Sequence, residues 1–372
     1  MTDVDVKVPL ADLRAQYEAI APEVTGAISD VLERSDFILG SAVAAFEKEY
    51  AEYCETAHAV GLDSGLSALE LGMRALGIGP GDEVLTPANS FIASSSAISF
   101  TGATPVWVDM DPATFNIDLG EAAKLVTPRT KAIMVVHLYG QPADMSAVAD
   151  FAAAHGLPIV EDACQAHGAR WHGRRAGGLG AFAAFSFYPG KNLGAYGDAG
   201  AITTDDDELA DRVRMMRNYG QRQKYHHAFL AWNRRLDTIQ AAILRVKLRR
   251  LDEWNAARQS VAARYATGLA ETPLILPTVQ DGAEHVYHQY VVRVPADRER
   301  FMSFLADRGV SSGLHYPVPI HLQECYADRG FGPGSFPVSE DAAGRIVSLP
   351  MSAELSDAQV DHVIAAVRDY FG

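Results

Sequence analysis

Lys191 stands in the stretch FSFYPGKNLGAYGDAGA (residues 185–201), behind the apolar run Ala181 to Phe187 and among Gly190, Gly194, Gly197 and Gly200. An amine attacks a carbonyl only when deprotonated, and surroundings poor in water favour that neutral form. Glycines around it let the chain turn sharply and let a bulky group approach the backbone. Lys191 is therefore a candidate for Schiff-base chemistry. Asp162 ends the apolar run of PIVEDACQAHGA (158–169), where a carboxylate is costly unless a positive group pairs with it. A protonated pyridine is such a group, and Gln165, three residues on, could donate to a ring oxygen. In DSGLSALEL (63–71) a strand gives way to a helix at Ser64 and Gly65, and the unpaired N–H groups of a helix start suit a phosphate. Ser186 adds a hydroxyl in the lysine loop.

Such groups need a frame that brings them to one edge. Strand-like runs at 59–62, 83–86, 105–108, 131–137 and 158–161 alternate with helical patterns at 65–76, 91–100 and 144–154. This order predicts an α/β fold, a mainly parallel sheet with helices on both faces, whose ligands lie at the carboxyl ends of the strands. One or two long helices are expected over 235–269, with Leu236, Ile239, Ile243 and Val246 as the buried stripe. They lead to a smaller domain holding the strand YHQYVVRV (287–294), a helix at 298–307 and a last helix at 356–371. The expected division is a large domain with an N-terminal arm over 1–250 and a small α+β domain over 251–372.

The 372 residues carry 32 Lys and Arg against 47 Asp and Glu, a net charge of −15, which argues against a general nucleic-acid surface. No apolar run approaches the roughly 18 residues of a membrane span, so a cytoplasmic protein is expected. Cys54, Cys164 and Cys325 are far apart and read as reduced thiols, and the 12 His show no metal-binding spacing, so no metal is expected. GLGAFA (178–183) fits a relaxed dinucleotide pattern but precedes a strand instead of linking strand to helix, and Asn192 stands where a Walker loop needs Ser or Thr.

Taken together, SG-x-x-AL, ED-A-x-Q-A-H-G and S-F-x-x-x-K-N-x-G-x-x-G-D-A-G resemble the DegT/DnrJ/StrS sugar aminotransferases, and the likeness continues in RNYGQRQKYHH (217–227), NRRLDTIQAAIL (233–244) and GLHYPVPIHLQ (313–323). The resemblance implies a fold-type I enzyme dependent on pyridoxal 5'-phosphate (PLP), most like the branch acting on nucleotide-linked 3-oxo hexoses. It implies that Lys191 is the Schiff-base lysine and proton shuttle, that Asp162 pairs with the pyridine nitrogen, and that Gln165 bonds the phenolic oxygen. Phe91 would cover one face of the ring. Ser64, Ser186 and the amides of Gly65 and Leu66 would hold the phosphate, with Leu66 standing where many members have Thr. Asn233 would reach the phosphate of a second subunit, which implies a homodimer with shared sites. Tyr188, Tyr225, His315, Tyr316 and His321 are candidates for the sugar and pyrophosphate. The implied reaction is transamination from an amino-acid donor, glutamate, to the keto carbon of a nucleotide-linked deoxysugar. Transfer at the fourth carbon or to a cyclitol ketone is the alternative, and a PLP-binding regulator a remoter one. A sugar 3-dehydratase on the same fold would carry histidine in place of Lys191.

Overall fold

A computed structural model describes residues 7–372, so the first six residues of the expected large domain lie outside the described part. Two helices, α1 (Leu13–Arg34) and α2 (Ser41–Cys54), precede an alternation of β1 (His58–Leu62), α3 (Gly65–Ala75), β2 (Glu83–Pro87), α4 (Ile92–Thr101), β3 (Thr104–Val108), α5 (Leu119–Leu125), β4 (Thr130–Val136), α6 (Met145–His155) and β5 (Ile159–Asp162). A short hairpin, β6 (Arg170–Trp171) and β7 (Arg174–Arg175), leads to β8 (Phe182–Ser186) and β9 (Gly200–Thr204). Helix starts are marked by the side chains of Ser64, Asp118, Asp144 and Asp206, each accepting a backbone N–H of the first turn.

Among the described residues the central sheet has seven strands in the order β1-β9-β8-β5-β4-β2-β3. From β8 to β3 the neighbours run parallel, whereas β9 runs against both β8 and β1. The sheet is mainly parallel, as the sequence predicts, and helices cover it. The runs TKAIMVV in β4 and FAAFS in β8 are apolar almost throughout because both faces are buried. The sequence reading lacked β9, which returns the chain antiparallel after the lysine loop. In consequence the carboxyl ends of β1, β5 and β8 and the start of β9 share one edge of the sheet.

The chain continues through α7 (Asp207–Met216) and a hairpin, β10 (Gln221–Gln223) with β11 (His226–His227), to α8 (Thr238–Leu248) and α9 (Leu251–Gly268). The long helical segment is thus two helices, with Leu236, Ile243 and Val246 buried and Ile239 half-buried. The remainder holds β12 (Ala283–Glu284), β13 (Tyr290–Arg293), α10 (Arg298–Asp307), α11 (Pro337–Arg345), β14 (Ile346–Leu349) and α12 (Asp357–Phe371). Strand β13 starts later than expected, and Tyr287 in the segment before it has a φ of 44°, outside the extended range. β13 pairs antiparallel with β14, and a separate apolar cluster forms around Tyr265, Tyr290, Phe301, Val347 and Val360. Val8 joins this cluster and forms a parallel bridge to Val310, so the segment before α1 is tied to the C-terminal part of the chain. No helix among the described residues is long and apolar enough to cross a membrane.

Candidate active site

Strand alternation sends Glu161 and Asp162 to opposite faces of β5. Glu161 is buried beneath the sheet, where its carboxylate accepts from the backbone N–H groups of Gly177, Leu179 and Gly180 at 3.0, 2.7 and 2.8 Å and meets His137 Nε2 at 3.0 Å. His137 Nδ1 accepts from Ala143 N–H at 3.1 Å, so its proton lies on Nε2 and points at Glu161. That arrangement anchors the end of β5. Asp162 opens instead on a cavity of about 470 Å³ at the carboxyl edge of the sheet. Ser94 Oγ donates to its Oδ2 at 2.6 Å, and Cys164 N–H donates to its Oδ1 at 3.2 Å. Ser94 has one hydroxyl proton and the carboxylate takes it, so in the 2.8 Å contact between Ser90 and Ser94 the donor is Ser90.

Lys191 lines the same cavity. Burial pushes its ammonium below the ordinary lysine value, against the pull of Cys164 and Asp162. None of Gly190, Gly194, Gly197 and Gly200 takes a positive φ, so sharp left-handed turning is not their use. At Gly200, which begins β9, a Cβ would lie 2.3 Å from the backbone carbon of Ser64, and only glycine lets the strand abut the start of α3. A Cβ at Gly65 would in turn meet Cys164 Sγ at 2.7 Å and Ser186 Cβ at 2.8 Å. The helix start is therefore pressed against β8 with bare backbone facing the cavity, beside the hydroxyl of Ser186. The Ser64 side chain itself caps α3, accepting from Ser67 N–H at 3.2 Å. Leu66 lines the cavity and packs on the core below.

Gln165 is buried, with Oε1 accepting from Tyr139 N–H at 2.6 Å and Nε2 donating to Tyr316 Oη at 3.1 Å. One amide proton of Gln165 stays free for a ring oxygen. Phe91, just before α4, lines the cavity with its ring centroid 5.3 Å from that of Tyr316. Tyr188 and His315 complete the group at the cavity wall, and burial brings the His315 pKa down to about 4, so its ring is neutral. A helix start for a phosphate, a buried carboxylate for a ring cation and a partly desolvated amine lie around one space, and the expected pyridoxal phosphate fits this set of donors.

Three expected residues stand elsewhere. His321 does not line the cavity: it is buried against Phe336, and Glu340 takes its Nε2 at 3.0 Å. Asn233 and Tyr225 belong to the segment around the β10–β11 hairpin, are exposed, and do not line their own chain's cavity. Sequence reasoning missed Ser90 and Ser94, and also Leu10, Ala11 and Met351, which reach the cavity from the two ends of the chain. A pair of serines four apart beside Phe91 was the available signal for the first two.

The chain is 50% identical over 365 residues to a dTDP-3-amino-3,4,6-trideoxy-alpha-D-glucose transaminase of Streptomyces venezuelae, covering 98% of this chain and 96% of the relative. Its fold matches the crystal structure of S. venezuelae DesV with a TM-score of 0.96 at 49% identity, over 98% of both chains. It also matches NtdA of Bacillus subtilis with bound cofactor PMP, with a TM-score of 0.92 at 31% identity, over 100% of this chain and 87% of that one. Residues 18–368 match the model of the DegT/DnrJ/EryC1/StrS aminotransferase family, and the chain belongs to that family.

Proposed function

We propose that this aminotransferase moves an amino group from glutamate to the ring ketone of a nucleotide-linked deoxysugar, a dTDP-3-oxo-6-deoxyhexose, and so forms the 3-amino sugar. The enzyme depends on PLP, which when bound supplies the electron sink of the reaction. The observation that carries the reading is one cavity bordered by Lys191, Asp162, Ser186 and the start of α3, with Tyr188, His315 and Tyr316 on its wall. The similar S. venezuelae transaminase supports the choice of sugar.

In this reading Lys191 holds the cofactor between turnovers and, once released, carries a proton as base and then as acid. Asp162 keeps the ring nitrogen protonated, and the free amide proton of Gln165 goes to the ring's phenolic oxygen. Phe91 covers one ring face. Ser186 with the amides of Gly65 and Leu66 receives the phosphate, and Ser64 keeps that helix start in place. Asn233 of a second copy completes the phosphate site, with Tyr225 from the same segment facing the neighbouring copy's sugar. The cytoplasmic location and the division at residues 250 and 251 are parts of the same reading, the latter supported by the separate apolar cluster of β13, β14 and α12.

Incubation with dTDP-linked keto sugars, glutamate and PLP should yield the amine by mass analysis, and absence of amine from every keto sugar offered would end the reading. Borohydride should fix the cofactor on the peptide containing Lys191. Lys191→Ala should still bind PLP without a covalent link but lose transamination, and cofactor fixed on another lysine would remove Lys191 from its role.

A further inference from the structure

Beside Lys191, a chain of buried amides fixes the protonation of one histidine. Asn192, the next residue, is buried, and its Nδ2 donates to the Val286 carbonyl at 3.0 Å and to Asn255 Oδ1 at 2.9 Å. Asn255 donates its own Nδ2 to the His167 carbonyl at 2.8 Å. A backbone carbonyl only accepts, so each amide has one possible orientation. Asn192 Oδ1 then faces His288 Nδ1 at 3.3 Å, and an amide oxygen also only accepts. Burial, then the neighbouring Lys191 and Arg258, hold the His288 ring well below the ordinary histidine value, so it is neutral. Its single proton therefore sits on Nδ1, and Nε2 keeps a bare lone pair. Among the described residues Nε2 has no hydrogen-bond partner, yet it is not one of the enclosed atoms left without one. His288 lines the cavity, and Nε2 is the ring nitrogen that the amide chain leaves unused. His315 differs: its Nδ1 faces the Ser348 hydroxyl at 2.8 Å, which can give or take a proton, so no tautomer is imposed there.

We propose that His288 is a specificity-determining residue for the acceptor, its Nε2 accepting a hydrogen bond from a hydroxyl of the keto sugar. The assignment rests on the function proposed above. An amino-acid donor is distinguished by its carboxylates, which a bare lone pair repels, and its amine is directed to the reacting carbon. A sugar offers hydroxyls. The residue thus acts on the second substrate and not on the first.

Two substitutions separate the ends of the ring. His288→Asn puts an amide nitrogen at the Nδ1 position, keeping the bond to Asn192, and removes the acceptor facing the cavity. His288→Gln reaches the Nε2 position and offers an acceptor there. His288→Asn should raise KM for the keto sugar about tenfold and leave the single-turnover reaction with glutamate unchanged, and His288→Gln should recover most of the loss. An unchanged KM in His288→Asn, a defect in the glutamate step, or a His288→Gln enzyme as impaired as His288→Asn would each overturn the assignment. Should the variants fail to fold, nitrogen NMR of the unaltered holoenzyme with labelled histidine still tests it. A protonated Nδ1 and unprotonated Nε2 near neutral pH are expected, and a proton on Nε2 overturns the proposal. Failure of the unaltered enzyme with every nucleotide-linked keto sugar would instead defeat the functional reading.

Discussion

Asp162 can hold a ring cation only if it is itself held, and two donors on two different elements do this: Ser94 from α4 and the N–H of Cys164 just past β5. Both require an acceptor, which the carboxylate offers with one oxygen to each. Asp162→Asn keeps the size, loses the charge that stabilises a protonated pyridine, and turns an NH₂ group toward one of those donors. Turnover should fall by orders of magnitude in steady-state assays, while the melting temperature moves little. Near-normal turnover would reduce Asp162 to a structural cap. That Lys191, Asp162 and Ser186 would meet at one sheet edge was legible in the sequence because each lies in a short string at the end of an apolar strand. Ser94 offered only its spacing from Ser90, and it is the packing of α4 beside the end of β5 that brings it to Asp162. The place of His321 was not legible for the same reason: its neighbours Phe336 and Glu340 lie 15 to 19 residues further along the chain and do not show in HYPVPIHLQ.

The bare start of α3, to which the proposed function assigns the phosphate, exists because three elements close on one another without side chains between them. Gly65 faces β8 and Gly200 faces Ser64, and in each case a Cβ would fall under 3.0 Å from its neighbour. Gly65→Ala should therefore push the first turn of α3 away from Ser186, weakening PLP binding by about 1–3 kcal/mol, the usual cost of overpacking. Titration of the apoenzyme with PLP, followed by absorbance, measures it. Unchanged affinity would mean that the phosphate is held elsewhere. At this scale the sequence told the order of strands and helices well, since capped helices and apolar strands carry their own signals in Ser64, Asp144 and Ser356. It did not tell that β9 runs antiparallel, because direction depends on how the lysine loop returns and not on the composition of GAITT. Nor did it tell that the helical segment after Arg235 divides between Leu248 and Leu251, where Arg249 and Arg250 interrupt the apolar stripe.

Around the sheet edge the molecule keeps several imidazoles neutral by burial, and this bears on its stability as a whole. Burial brings His167 and His285 down to about 3 and His315 to about 4, each from an ordinary 6.5. Above 6.5 neither folded nor unfolded chain protonates them; between 6.5 and the folded values only the unfolded chain does, so stability falls with pH through that window. Each contributes about 1.4 kcal/mol per pH unit there, and denaturant titrations should show a loss beginning near 6.5 that His167→Asn reduces. A flat profile down to 5 would mean that the native state admits these protons. Assembly sets the last condition. The segment from Tyr219 to Asn233 carries Tyr225, 78% exposed, and Leu230, fully exposed, while Asn233 stays outside its own chain's cavity. If Asn233 serves the phosphate of a second copy, Asn233→Ala should weaken PLP affinity by about 1–3 kcal/mol, the loss of one hydrogen bond to a charged group. Lys191→Ala subunits mixed with Asn233→Ala subunits at limiting PLP then give the decisive outcome. In a mixed dimer one site collects both substitutions and the other has neither, so activity absent from both parents should reappear. No recovery, with subunit exchange demonstrated and each parent defective, would mean that Asn233 serves its own chain or no site at all.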